Sequence, residues 1–136
     1  MPRRSIYLDG FAHANPVPAA CRIGQFLVSG PLTGRDPRTG AMPASLDAQV
    51  ENVFVHVRKL MQTVGGRTDD IIKMTFLVAE YRERDGINRE WTAMFPNPHD
   101  RPTRHCIAAQ LDNGSQIQCD VTAVLADQPH TEKGTV

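Results

Sequence analysis

The sequence predicts a single α+β domain in which two helices pack on one face of a mixed β-sheet. Its length of 136 residues fits one domain of ordinary size. Segments with the apolar alternation of strands are interleaved with two segments of helical periodicity, in the order strand, strand, helix, strand, helix, strand, strand. This order is typical of helices layered on one sheet. We expect residues 1–126 to form the domain and residues 127–136 to form a polar tail.

The N-terminal part is predicted to contribute two strands and a long loop. Residues 3–8 alternate in the manner of a short strand, and residues 21–29 are predicted to form a second one. The continuous apolar run Phe26-Leu27-Val28 favours burial on both faces of the sheet. Residues 32–44 carry glycine and proline at turn positions, which predicts a loop, and loops of that length are usually functional or mobile.

The first helix is the best defined element of the sequence. Ser45 is a suitable N-cap, apolar residues recur at helical spacing as far as Val64, and Gly65-Gly66 supply the C-terminal stop. His56 lies off the apolar stripe of this helix. We therefore expect its side chain to be solvated.

A strand over residues 70–79 and a second helix over residues 85–95 are predicted to follow. The helix is expected to end at Pro96 and to turn inward an apolar face formed by Ile87, Trp91, Met94 and Phe95. Alternation along the strand predicts that one face carries Ile72, Met74, Phe76 and Val78.

The C-terminal part is predicted to be a β-hairpin that turns at Asp112-Asn113-Gly114. If Asn113 and Gly114 formed a two-residue turn, Arg104 and Asp120 would project from opposite faces. If the loop has three residues with Gly114 in the left-handed conformation, Arg104 and Asp120 share one face. The second register separates apolar from polar side chains better, and we therefore prefer it.

The preferred register also places three other side chains. It puts His105 on the core side, where a structural histidine is expected, and it puts Cys106 and Cys119 on opposite faces, which disfavours a disulfide between them. With Cys21, the chain has three cysteines and no C-x-x-C pair. We expect all three to be reduced thiols.

Arg104 and Asp120 are the candidate functional pair of the hairpin. A plain salt bridge that braces two strands is one interpretation of them. The position of Arg104 favours another, because it begins a strand directly after a proline-rich stretch where a loop and a helix end converge. Since a guanidinium is a planar fork suited to bidentate capture of a carboxylate, the pattern predicts binding of a small carboxylic acid.

The sheet face away from the two helices is predicted to carry apolar side chains. These are Leu77, Val124 and one side of residues 26–28. Exposed apolar surface of this kind usually marks a subunit interface, so the sequence predicts an oligomer.

Composition and motifs exclude several classes of function. Fifteen basic and fifteen acidic residues give no net charge, which argues against a nucleic-acid or membrane surface. The five histidines are scattered without metal-like spacing, and the sequence contains no dinucleotide, P-loop, zinc-protease or serine-hydrolase motif. We therefore expect no metal and no cofactor. No signal peptide or apolar span is recognisable, which predicts a cytoplasmic protein.

The chain carries an ordered set of short motifs: Val28-Ser29-Gly30, Asp36-Pro37, Thr39-Gly40, Gln49, Val64-Gly65, Ile72-Lys73-Met74-Thr75, Ile87-Asn88, Phe95 and Arg101-Pro102-Thr103-Arg104. Over residues 15–125, this set resembles the RidA/YjgF family of reactive-intermediate deaminases.

This resemblance implies a chorismate-mutase-like fold, a homotrimer with clefts between subunits, and hydrolysis of 2-imino or 2-enamino acids to 2-oxo acids and ammonium. It also implies roles for individual residues. Arg104 matches the arginine that grips the substrate carboxylate, and Asp120 falls where deaminating members have a glutamate that positions water. Ser29, Asn88 and Cys106 match positions that line the cleft.

Two departures from the family pattern bear on activity. A tyrosine-containing segment of the cleft is replaced by residues 16–20, Pro-Val-Pro-Ala-Ala, and the glutamate is shortened to Asp120. Because a displacement of about 1 Å can cost about 100-fold in rate, binding survives such changes more easily than catalysis. The alternatives to a deaminase are a non-catalytic trimeric module that binds small carboxylates and, with less support, an endoribonuclease.

Overall fold

The computed structural model describes residues 2–8 and 16–126, and the predicted tail lies outside them. In this part of the chain, seven strands form one mixed sheet in the order β1-β2-β3-β7-β5-β6, with β4 paired to β7. The elements are β1 Arg4–Ile6, β2 Ala20–Ile23, β3 Phe26–Ser29, β4 Leu32–Thr33, α1 Leu46–Thr63, β5 Ile71–Val78, α2 Asp85–Met94, β6 Thr103–Ala108 and β7 Ile117–Val124.

The two helices confirm the α+β prediction. The Oγ atom of Ser45 accepts a hydrogen bond from the Ala48 N–H at 3.2 Å, and Gly65 ends α1 with a φ of 75°. Both helices turn apolar faces toward the same side of the sheet, where Phe54 of α1 stacks on Phe76 of β5 at 5.8 Å between ring centroids. None of the described helices is long and apolar enough to cross a membrane.

The predicted pairing of the last two strands is wrong, because β5 lies between them. β6 pairs with β5 in parallel, and β7 pairs with β5 antiparallel. The turn itself forms, with φ of 59° at Asn113 and 78° at Gly114, so both residues adopt the left-handed conformation. Locally this is a two-residue turn rather than the preferred three-residue loop, but neither predicted hairpin register applies, because the two strands do not pair with each other. The signal for local chain reversal was correct, but it carries no information about a third strand between the two arms.

The N-terminal strand prediction needs two corrections. Residues 21–29 form a hairpin of two strands, in which Ile23 pairs with Phe26 around Gly24, whose φ is 57°. Glycine with positive φ at the first turn position suits a type II′ turn. The predicted loop 32–44 begins with β4, a two-residue strand that pairs with β7.

Because β5 contains a β-bulge, the predicted face of this strand is wrong at Ile72. The register shifts between Ile71 and Lys73, so that Ile71 is buried and Ile72 is 49% exposed. Beyond the bulge, Met74, Phe76 and Val78 face the core as the alternation predicts. An extra residue in one strand reverses the alternation on one side of it.

The polar side chains of α1 fix the loop that precedes it. The prediction that His56 is solvated is wrong: it is 2% exposed, and its Nε2 lies 2.8 Å from the Arg35 carbonyl oxygen. Burial is the main cause that lowers the pKa of this imidazole, which favours the neutral ring. Asn52 donates to the Gly34 carbonyl oxygen at 2.9 Å. The loop is therefore held by a polar stripe of the helix.

Gln49 connects three segments and is fully buried. Its amide nitrogen donates to the carbonyl oxygens of Pro43 at 2.7 Å and Gly114 at 3.0 Å, and its amide oxygen accepts from the Gln116 N–H at 2.8 Å. These bonds join α1 to the loop before it and to the connection between β6 and β7. One buried side chain thus satisfies three part-buried backbone groups.

The sheet face opposite the helices, which we call the open face, carries exposed apolar side chains. Phe26 is 52% exposed and Val124 is 43% exposed, and Ile23 and Val28 lie beside them in register. This confirms the predicted uncovered surface, but the predicted burial of residues 26–28 on both faces is wrong for the single chain.

Replacing Gln49 by leucine should lower the free energy of unfolding by about 3 kcal/mol, because Pro43, Gly114 and Gln116 would each lose a hydrogen-bond partner for a part-buried backbone group. Urea denaturation measures this change. The matched control is Gln62→Leu at an exposed position of the same helix, which should change stability by less than about 0.5 kcal/mol. Equal effects of the two substitutions would contradict the connecting role of Gln49.

Candidate functional site

Arg104 is half-buried on β6, the strand at one edge of the sheet, and points toward α2. Its Nη2 donates to the Oδ1 of Asn88 at 2.8 Å, and its Cζ lies 5.1 Å from the centroid of the Trp91 ring. Both partners are uncharged. Within the described residues, the ion pairs join Asp36, Asp47, Asp69 and Glu90 to other arginines, and none of them includes Arg104.

Cys106 follows Arg104 by two residues on the same face of β6. It is half-buried against the core, and it shares a row with Phe76 and Cys119. The prediction that Cys106 and Cys119 lie on opposite faces is therefore wrong, because it depended on the hairpin register. All three cysteines are free thiols, and burial raises the pKa of Cys119 well above its ordinary value.

Asp120 lies on the open face, opposite Thr75 of β5. Arg104 shares its row with Met74 and Val121, which are buried under the helices. In one chain, Arg104 and Asp120 therefore project from opposite faces of strands about 10 Å apart. The structure brings Arg104, Asn88 and Cys106 together and leaves Asp120 outside this group.

The pKa of the Asp120 carboxyl is raised, mainly because burial penalises its charged form. The positive charge of Lys73, on the same face and diagonal to Asp120, acts in the opposite direction. A partly desolvated carboxylate with a raised pKa is a suitable group to accept a proton from water.

Ser29 ends β3 and extends the ladder between β3 and β7. Its Oγ accepts from the Val121 N–H at 2.9 Å and donates to the Gly30 carbonyl oxygen at 2.8 Å. These bonds give the hydroxyl a structural role at the point where backbone pairing between the two strands stops. Ser29 is three strands away from Arg104 in the sheet order.

The predicted core position of His105 is also wrong. His105 is exposed on the open face, in the same row as Thr75 and Asp120. Within residues 2–8 and 16–126, no group of three or more His, Cys, Asp or Glu side chains could hold a metal ion. A cavity of about 200 Å³ opens near the start of β6, but it is lined by Arg101 and Phe95 rather than by Arg104.

Trp91 is the residue near Arg104 that the sequence prediction assigned only to the core. It follows Asn88 by three positions on α2, so the two side chains lie on one side of that helix. Its three-residue spacing from Asn88 would have placed it beside Arg104 if β5, α2 and β6 had been recognised as a parallel crossover unit.

A family model described as "Endoribonuclease L-PSP" matches residues 10–125 of the chain. A RutC family protein of Pasteurella multocida is 27% identical over 118 residues, which cover 85% of this chain and 92% of the relative. The 2-iminobutanoate/2-iminopropanoate deaminase of Escherichia coli K12 is 25% identical over 104 residues, covering 75% and 81% respectively.

The fold is shared with a solved structure of the YjgF gene product from E. coli. That structure superimposes with a TM-score of 0.80 at 22% identity, and the match covers 89% of this chain and 98% of the other.

Asp120→Asn should make the folded protein more stable at pH 7. Because the folded-state pKa lies above the ordinary value of 3.8, folding disfavours the ionised carboxylate. This cost is absent below pH 3.8, where the group is neutral in both states, and appears as pH rises through the folded-state pKa. Urea denaturation across this range, at one protein concentration, should show the gain growing with pH.

The same substitution in a Lys73→Met background should give a larger gain at pH 7, because the opposing attraction has been removed. A gain that is independent of pH, or a loss of stability at pH 7, would contradict this description of Asp120.

Proposed function

The chain belongs to the family that this model describes, the Endoribonuclease L-PSP or RidA/YjgF family, and we propose that it hydrolyses small 2-imino or 2-enamino acids to 2-oxo acids and ammonium. The observation that carries the proposal is the state of Arg104. Its guanidinium is fixed by an amide oxygen and an aromatic ring, and no carboxylate of the described chain neutralises it.

Arg104 is the proposed anchor for the substrate carboxylate. A guanidinium has five N–H donors, and a single hydrogen bond to Asn88 leaves donors for a bidentate contact. The charge is already desolvated in part, which strengthens its attraction for an anion. Cys106, on the same face of β6, would line the space next to the bound acid.

Asp120 is the proposed base. Water adds to C2 of the imine as the Asp120 carboxylate accepts a proton from the water, and this proton passes to the imine nitrogen to give a carbinolamine. The carboxylate then moves the carbinolamine hydroxyl proton to the same nitrogen as the C–N bond breaks. Ammonia leaves, takes up a proton from solvent to form ammonium, and the 2-oxo acid remains with its carboxylate still on Arg104. The raised pKa of Asp120 supports this role, since a general base works best when its pKa approaches the working pH.

The proposed site requires two chains. Arg104 and Asp120 project from opposite faces of one sheet, so the Asp120 carboxylate of one copy must face the Arg104 guanidinium of another across the bound substrate. The open face supports this arrangement, because its exposed apolar side chains need a partner surface. We propose a homotrimer with clefts between subunits, in which a second chain covers the open face.

A non-catalytic module that binds small carboxylates is the second candidate. It is favoured by the shorter side chain of Asp120 and by residues 16–20, Pro-Val-Pro-Ala-Ala, which lack a cleft tyrosine. Neither change affects the contacts of Arg104.

Arg104→Ala should lower kcat/KM for freshly generated 2-iminopropanoate by about 100-fold, because the charged hydrogen bonds to the substrate carboxylate are lost. Arg104→Lys should retain part of the activity, since it keeps the charge without the planar fork. Formation of the 2-oxo acid above the buffer rate is the measurement, with circular dichroism to confirm folding.

The matched control is Arg89→Ala on α2, because the Arg89 charge is already paired with Asp47 and Glu90. It should leave the rate unchanged. A wild-type protein with no rate above buffer would contradict the deaminase proposal. Saturable binding of 2-oxobutyrate without turnover would then support the binding module, and RNA cleavage that depends on Arg104 would support the ribonuclease.

Phe26→Asp should dissociate the oligomer, because it places a charge in the apolar part of the open face. Light scattering should give about three times the chain mass of 15.1 kDa for the wild type and a smaller species for the variant. Val55→Asp is the control, since Val55 is 40% exposed but lies on α1. A monomeric wild type would contradict the trimer.

A further inference from the structure

Bidentate binding of an anion by Arg104 requires contacts that hold its guanidinium in one orientation. Its side chain is long, lies on an edge strand and has no ion pair within the described residues. An arginine side chain loses about 2 kcal/mol of rotamer entropy when it is ordered, and a bidentate contact requires one orientation of the guanidinium plane. Any residue that orders it before substrate arrives therefore increases affinity.

Two contacts from a single turn of α2 provide this order. Asn88 accepts a hydrogen bond from Nη2 at 2.8 Å, and the Trp91 ring lies 5.1 Å from Cζ. The π face of an indole attracts a guanidinium without offering it a hydrogen-bond acceptor. Trp91 can therefore hold the side chain while its remaining N–H donors stay available to a carboxylate. An aspartate or glutamate in the same place would neutralise the charge.

The indole is itself held rigidly. Trp91 is 8% exposed and packs edge-to-face on Phe95, with 4.9 Å between ring centroids and an angle of 64°. The Phe95 carbonyl oxygen accepts a hydrogen bond from Arg101 Nε at 2.8 Å. Residues at the end of α2 therefore contact both Arg101 and Arg104. These contacts link the Trp91 ring, on which Arg104 lies, to the start of the strand that carries Arg104.

We propose that Trp91 is a positioning residue for anion binding, whose indole face holds the Arg104 guanidinium in the orientation that receives a carboxylate. This inference rests on the proposed function only for the identity of the anion. It extends that function by assigning a role to a residue that would otherwise belong to the core alone.

The first test follows Arg104 directly in the ligand-free protein. Rotation about its Nε–Cζ bond, measured by ¹⁵N exchange NMR, should be faster in Trp91→Leu than in the wild type and close to wild type in Trp91→Phe, which keeps an aromatic face. Unchanged rotation in Trp91→Leu would overturn the proposal, whether or not the protein is a deaminase.

The second test is the dissociation constant for 2-oxobutyrate, measured by titration. Trp91→Leu should weaken binding by about 5- to 10-fold, and Trp91→Phe by about 2-fold or less. The matched control is Ile87→Ala, which removes packing from the inner face of the same helix at a residue 1% exposed. It should lower stability and leave the dissociation constant unchanged.

The outcomes separate the two claims. If Ile87→Ala and Trp91→Leu weaken binding equally, the effect belongs to helix packing and the positioning role is overturned. If the wild type neither binds 2-oxobutyrate nor hydrolyses imines, the proposed function fails, and the rotation measurement alone decides the role of Trp91.

Discussion

The position of β5 between β6 and β7 determines where the candidate site residues lie. β5 pairs with β6 in parallel from Lys73 to Val78 and with β7 antiparallel over the same stretch. Paired residues of neighbouring strands point to the same side of a sheet. The side to which a β5 residue points therefore also determines the side to which its partners on β6 and β7 point. Because Arg104 pairs with Met74, its side chain points toward the helices. Because Asp120 pairs with Thr75, its side chain lies on the open face.

This separation has a chemical consequence. An arginine and a carboxylate side by side on one face would form an ion pair, and each would reduce the other's availability for a substrate. Here Arg104 meets only neutral partners, and Asp120 is partly desolvated beside Thr75 with its pKa raised. In the proposed trimer, both groups face a substrate that lies between two copies of the chain, and the exposed apolar side chains of the open face pack on the neighbouring copy.

The sequence predicted the features that depend on local chemistry. Ser45 caps α1, Gly65 ends it, and the turn at Asn113-Gly114 forms where the dipeptide predicts it. It could not predict which strands are neighbours, since a turn signal reports chain reversal and not the strand inserted between the arms. For this reason Arg104 was placed on the wrong face and the proximity of Trp91 was missed, although the choice of Arg104 as a candidate did not depend on the register.

We propose that Arg104 and Asp120 act together across a boundary between subunits, and mixed oligomers provide a direct test. Arg104→Ala and Asp120→Asn are each expected to give trimers with only a small residual activity. In cyclic trimers assembled from equal amounts of both variants, about one site in four combines an intact Arg104 with an intact Asp120 from the neighbour, so about a quarter of the wild-type rate should return. Mixed trimers with no more activity than either variant alone would contradict a site shared between two subunits.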